Sequence, residues 1–324
     1  MARGGATISR RAFLVGASAA LAAPRSALAQ PPGRLPHIAA YTAAESTRDS
    51  IVDGLRERGW VIGRNITFEW YSAEGAEALI GEHLAKAPTD ILVMGGPPRI
   101  QAAMRATTTV PIVGIDLESD PVASGFVKTL ARPGGNVSGI WMDVPEIAGK
   151  QIQFLREVLP TFTRLGVLWD DRINALQLDS AVTASRGLGI RVNPATLRAA
   201  AEIDTVMKRL LAERPQALLL MTSPVVFRVL ARVGELCCEN RLPSMSPFSS
   251  YPSAGGLMAY GPDFPSMLRQ LGGYIDRVLR GARIGDMPVE RPSKFTLAVN
   301  LKTAKALGLT LPQSLVLRAD EVIQ

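Results

Sequence analysis

Short apolar runs alternate with amphipathic helical stretches along almost the whole chain, and no other feature narrows its fold as much. The runs predict strands at His37–Tyr41, Ile66–Tyr71, Asp90–Met94, Pro111–Ile115 and Val137–Trp141. Further strands are predicted at Leu165–Trp169, Arg191–Val192, Ala217–Met221, Pro243–Ser246 and Leu257–Tyr260. Helical stripes lie between them. Ile203, Val206, Met207, Leu210 and Leu211 follow the i, i+3, i+4, i+7, i+8 pattern, and Val226, Val229, Leu230, Val233 and Cys237 nearly do. Phe264, Met267, Leu268, Leu271, Ile275 and Val278 form a third stripe. Alternating β and α segments imply an α/β fold, with parallel sheets covered by helices on both faces. Two rounds of the pattern, near 37–141 and 165–246, imply two doubly wound lobes, which suits 324 residues.

The joins between rounds set the expected domain limits. Asp143 with Glu146 reads as a helix N-terminal cap, followed by a stripe of Ala148, Ile152, Leu155 and Leu159 that ends at Pro160. Residues 141–144 are thus a predicted crossover. The Ser/Pro/Gly-rich segment 248–256 is a second, and 281–292, with Gly281, Gly285, Pro288 and Pro292, is a third. The expected division is 37–141 plus 257–280 for one lobe and 145–247 plus 285–324 for the other.

The first 29 residues read as an address. They carry Arg3, Arg10, Arg11 and Arg25 and no acid, then an uncharged stretch from Ala12 to Pro24, then Ser26-Ala27-Leu28-Ala29. A positive start, a short apolar run and an Ala-x-Ala site make a secretory signal cut between Ala29 and Gln30. Its 13 residues fall short of the ~20 that span a bilayer. Arg10–Arg11, with Ser9 before and Phe13-Leu14 after, resembles the twin-arginine export signal. The expected location is the periplasm, with the signal removed.

Charge and chemistry exclude several classes. The formal charge is +7, but four of the 36 basic residues lie in that leader, leaving 32 against 29 acidic residues. A surplus so small and scattered predicts no nucleic-acid partner. Two adjacent cysteines, Cys237 and Cys238, make no disulfide scaffold and read as helical thiols. His37 and His83 alone offer no metal site. The sequence carries no nucleophile elbow, phosphate-binding loop, zinc helix motif or dinucleotide fingerprint, so neither a cofactor nor catalysis is expected. Arg132 through Gly139 precedes a strand rather than following one, and reads as a tight turn with Gly134 and Gly135 at positive φ. The rival class is an exported α/β enzyme that uses a cofactor.

An open α/β sheet offers a crevice at the carboxyl ends of its strands. In the first lobe those ends carry Tyr41, Thr42, Gly95, Gly96 and Asp116, with Asp120 close by. In the second they carry Asp170, Thr222, Ser223 and Ser246. Glycines allow close approach, hydroxyls and helix N-termini suit an anion, and the acids suit a cation. These ten residues are the candidate ligand site.

Several segments resemble successive signatures of one family. They are Asn65-Ile66, Pro111-Ile112-Val113, Asp120-Pro121-Val122, and Leu130 through Gly139. They continue in order with Gly149-Lys150-Gln151, Val167-Leu168-Trp169, Ala254 through Met258, Tyr260-Gly261-Pro262, Lys294-Phe295 and Asn300 through Leu309. Across about 37–324 the chain resembles the ABC-transporter substrate-binding proteins of the tryptophan/phenylalanine-binding type. The resemblance implies a type I periplasmic-binding fold, with two Rossmann-like lobes, three crossings and a cleft that closes on its ligand. It also implies a monomer that captures a small amino-acid-like or carboxylate-bearing solute for an ABC permease. Two departures speak against an aromatic amino acid. Thr222-Ser223-Pro224 lacks the acidic residue usual near that proline, and Asp116-Leu117-Glu118-Ser119 is more acidic than the usual version.

Overall fold

The computed structural model describes residues 34–324 except 43–44, 72–74, 143–144 and 174. The leader, with Arg10, Arg11, Ala29 and Gln30, lies outside the described residues, as does the predicted cap Asp143. Two sheets carry the fold. In the first, β1 (His37–Tyr41), β2 (Thr67–Tyr71), β3 (Ile91–Gly95), β4 (Ile112–Asp116) and β5 (Val137–Trp141) run parallel in the order β2-β1-β3-β4-β5. The second holds β6 (Arg164–Trp169), β7 (Arg191–Thr196), β8 (Ala217–Leu220), β9 (Ser244–Ser246), β10 (Met258–Pro262), β11 (Phe295–Asn300) and β12 (Glu321–Ile323). Their order is β12-β11-β10-β9-β8-β6-β7, and only β10 and β11 are antiparallel. β4, β5 and β8 are buried along their whole length, as continuous apolar strands covered on both faces should be.

The helices follow the strands. In the first lobe they are α1 (Glu45–Arg56), α2 (Ile80–Lys86) and α3 (Pro97–Ala106). The second has α4 (Pro145–Val158), α5 (Ala175–Arg186), α6 (Ile203–Ala212), α7 (Pro224–Arg228) and α8 (Leu230–Glu239). Next come α9 (Phe264–Leu279), α10 (Leu301–Ala306) and α11 (Gln313–Arg318). The three predicted stripes turn inward: Ile203, Val206, Met207 and Leu210 are buried, as are Val226, Val233 and Cys237, and Met267, Leu268, Leu271 and Ile275.

Strand pairing corrects parts of the expected division. The strand near 257–260 does not join the first lobe: Met258 pairs with Met245 of β9 and with Val299 of β11, in the second sheet. Residues 248–256 therefore connect two strands of one sheet and are not a crossing. They fold tightly over Tyr251, whose carbonyl accepts the Gly256 N–H at 2.9 Å. The chain returns to the first lobe at Asp263, where α9 starts and lies against α1. Segment 281–292 stays with the first sheet for most of its length. Gly139 accepts from Glu290 N–H, and Glu290 accepts from Trp141 N–H at 3.0 Å, so the crossing falls at 291–294. The second and third crossings touch, because Asp263 N–H donates to the Lys294 carbonyl and Lys294 Nζ meets Asp263 Oδ2 at 2.7 Å.

Smaller corrections have local causes. β7 runs on to Thr196 through Pro194, tolerated because β7 is an edge strand. β11 and β12 lie beyond the last predicted strand. In the turn at 132–139, Gly134 has φ +73° but Gly135 is not at positive φ; Gly139 is, at +149°, where a Cβ would meet the Gly114 carbonyl at 1.9 Å. Cys237 is buried against Tyr251, and burial pushes its thiol up to about 12.

Candidate functional site

The strand ends of both lobes meet around a cavity of about 40 Å³. Thr42, Thr47, Gly95, Gly96, Ile115, Leu117 and Glu118 wall it from the first sheet's side, joined by Phe264 and Leu268 of α9. Ser223, Pro224, Phe227 and Phe248 close it from the second. Contact between the lobes is direct. The Leu117 carbonyl, just past β4, accepts from Gln177 Nε2 on α5 and from Thr222 Oγ1 after β8, both at 3.1 Å. Gln177 Oε1 in turn accepts the Thr222 N–H at 3.1 Å, and all three residues are buried. Gly96 has φ +84°, and a Cβ there would stand 3.0 Å from Pro224 Cγ, so a glycine lets the lobes meet at that point.

Four of the ten predicted residues line the cavity: Thr42, Gly95, Gly96 and Ser223. Thr42 Oγ1 accepts from Thr47 Oγ1 at 2.6 Å and from Trp70 Nε1 at 2.7 Å. Ser223 caps α7, its Oγ accepting the Val225 N–H at 3.1 Å. Thr222 lies next to the cavity and belongs to the contact between lobes.

The other five serve elsewhere. Successive side chains on a strand point to opposite faces, so Tyr41 turns away from Thr42, stacks on Tyr71 at 4.7 Å and bonds His83 Nδ1. Asp116 is fully buried and has four donors. Glu118 N–H at 2.8 Å and Ser119 N–H at 3.2 Å reach Oδ1, while the Ser119 hydroxyl and Trp141 Nε1 at 3.1 Å reach Oδ2. Asp120 is exposed and caps the turn after it through the Val122 and Ala123 N–H groups. Asp170 is buried but held in a two-pronged pair with Arg172, at 2.8 and 2.7 Å. Ser246 Oγ accepts the Phe248 N–H at 3.1 Å and so sets the turn that carries Phe248.

Two features of the wall were not among the predicted residues. One is aromatic: Phe227, Phe248 and Phe264 meet edge to face, with centroids 4.8, 5.8 and 6.1 Å apart. They come from α7, from the turn after β9 and from the start of α9, so no sequence window contains them together. The other is Glu118, 6% exposed, with Oε2 accepting the Leu117 N–H at 3.2 Å. Burial pushes its carboxyl well above the ordinary range, and the charges of Asp116 and Asp170 push it further. Burial raises Asp116 too, and its hydrogen-bond donors act against that rise. The acidic departure at 116–119 was the signal that could have found Glu118.

Known proteins match most of the chain in sequence and fold. A tyrosine-binding protein of Clostridioides difficile (strain R20291) is 24% identical over 274 residues, covering 83% of this chain and 78% of that protein. A conserved domain protein of Vibrio cholerae O1 biovar El Tor superposes with a TM-score of 0.81 at 25% identity, covering 89% of this chain and all of that one. A Streptococcus pneumonia ABC domain in complex with L-Trp also reaches 0.81, at 22% identity, covering 90% of this chain and all of its own. The family described as ABC transporter substrate binding protein matches residues 37–323. The fold has the two parallel-sheet lobes of type I periplasmic binding proteins, and the chain belongs to the ABC transporter substrate-binding protein family.

Proposed function

We propose that this chain captures one small, largely apolar solute in the interlobe cavity and presents it, lobes closed, to an ABC permease. The carrying observation is the cavity's position. It is walled from both lobes and sealed where Leu117, Gln177 and Thr222 bond across the gap. Hinge closure around ligand is an established motion of periplasmic binding proteins. A ligand drives it only by binding the closed form better than the open one, and a cavity whose wall is split between lobes meets that condition. The passage after β5 and the crossings at 263 and 291–294 are the hinge. The tyrosine- and tryptophan-binding relatives support a solute of amino-acid size. Binding, without catalysis, is the whole task in this reading. The protein acts as a monomer in the periplasm, exported through Arg10 and Arg11 and cut after Ala29.

Native mass spectrometry of protein recovered from its own cells, without unfolding, tests the reading. The expected spectrum shows the mass of 30–324 with one small molecule bound. A bare protein mass under gentle desolvation contradicts solute capture, and a mass that includes the leader contradicts the cleavage.

A further inference from the structure

We propose that the cavity is the end pocket of a longer site and takes an isopropyl-sized alkyl group, with Phe248 as the residue that shuts out an aromatic ring. This inference rests on the solute-binding reading above and narrows it to a solute of amino-acid size with a short branched side chain. Volume sets the limit. About 40 Å³ has room for about three water-sized atoms at ~10–15 Å³ each, and is far below the ~150 Å³ of a cavity that holds benzene. Ile115, Leu117 and Leu268 line it beside the phenylalanines, so a hydrocarbon group suits it. The rest of the solute needs other space, and Glu118 also walls a second cavity of about 370 Å³. Gln101, Ser119 and Ser124 line that one from the first lobe, and Arg172 and Leu176 from the second. The chain joins the two, because Gly96 lines the first and Pro97 the second. A polar head in the larger space and an alkyl end in the smaller one thus touch both lobes.

Phe248 is the ring that fixes the size. Its centroid stands 4.8 Å from that of Phe227 and 6.1 Å from that of Phe264, and it is buried where those two are half-buried. Its backbone is held on both sides. The N–H donates to Ser246 Oγ at 3.1 Å, and the carbonyl accepts the Tyr251 N–H at 3.0 Å. Tyr251 is itself fully buried, with its hydroxyl 2.7 Å from Ser244 Oγ. A ring anchored in this way yields to a larger group only by leaving its rotamer or moving the backbone, and close-packed surroundings make either costly. Phe264 reaches the group from α9, which lies against α1, while Phe227 and Phe248 come from the second lobe. The limit therefore acts as the lobes close, and an oversized side chain holds them apart.

Calorimetric titration of L-alanine, L-valine, L-phenylalanine and L-tryptophan into protein dialysed free of its own solute tests this. Valine should bind tightest. Alanine, which leaves most of the cavity empty, should bind roughly tenfold more weakly, and the two aromatic amino acids weaker than valine by at least about tenfold. In Phe248→Ala, phenylalanine should bind at least as tightly as valine. In Phe248→Leu, which removes less volume, the advantage of valine over phenylalanine should shrink at least about threefold. Phe162→Leu alters a buried ring that lines neither cavity, and should lower the melting temperature while leaving that advantage unchanged. Melting temperatures show which variants fold, and Phe248→Leu carries the test if Phe248→Ala does not. Any of the other three amino acids binding wild type as tightly as valine, or the same valine advantage in wild type and the Phe248 variants, overturns the proposal and leaves solute capture standing. Silence of all four amino acids overturns this solute class, and the native spectrum then decides separately whether solute capture falls with it.

Discussion

Asp116 and Glu118 are two residues apart and do opposite work. Asp116 spends its carboxylate on Glu118 N–H, Ser119 and Trp141, so it builds the loop. Glu118 reaches the cavity with one backbone donor and two like charges near it. A carboxyl raised in the folded state holds a proton that the unfolded chain has released. Between the ordinary 4.5 and its raised value the folded form therefore binds more protons, and stability falls as pH rises. Each unit by which the carboxyl is raised is worth about 1.4 kcal/mol. Without ligand, Glu118→Gln should melt higher than wild type at pH 8, and the gap should close as pH falls towards 4.5. A gap that does not vary with pH contradicts this account of Glu118. The sequence placed the strand-end positions well but not the partners of their side chains. Alternation sends Tyr41 away from Thr42, and Arg172, two residues past Asp170, takes that acid's charge.

The helices were legible because their apolar stripes are periodic, and α9 shows both the reach and the limit of that signal. Its stripe predicted the buried face, but not that the face would meet α1 through glycine. A Cβ on Gly272 would stand 2.5 Å from the Gly54 backbone, and one on Gly54 would stand 2.1 Å from the Arg269 carbonyl. Gly272→Ala should therefore force the helices apart and cost roughly 1–3 kcal/mol, net of any gain in helix propensity. Denaturant unfolding measures this, and an unchanged midpoint would mean that the two helices are not held so closely. β10 and β11 were harder to read. A βα alternation cannot say which sheet a strand joins after a long turn such as 247–257. Nor does it anticipate β11, which follows α9 and yet pairs antiparallel with β10.

At the scale of the whole molecule, the two rounds of β and α gave the two sheets, because parallel strands need helices on both faces and the pattern repeats twice. The cavity was less legible. Thr42, Gly95, Gly96 and Ser223 could be placed from strand ends. Phe227, Phe248, Phe264 and Glu118 converge only once three crossings bring the lobes together. Its walls come from both lobes, and Leu117, Gln177 and Thr222 bond across the gap, so opening the hinge must break those bonds and divide the cavity. The central claim is that a solute stabilises the closed arrangement. Small-angle scattering from one preparation, as purified with its solute and again after the solute is dialysed away, tests it most directly. The radius of gyration should be smaller with the solute present and should return to that value when the solute is added back; an identical radius in both states would contradict closure.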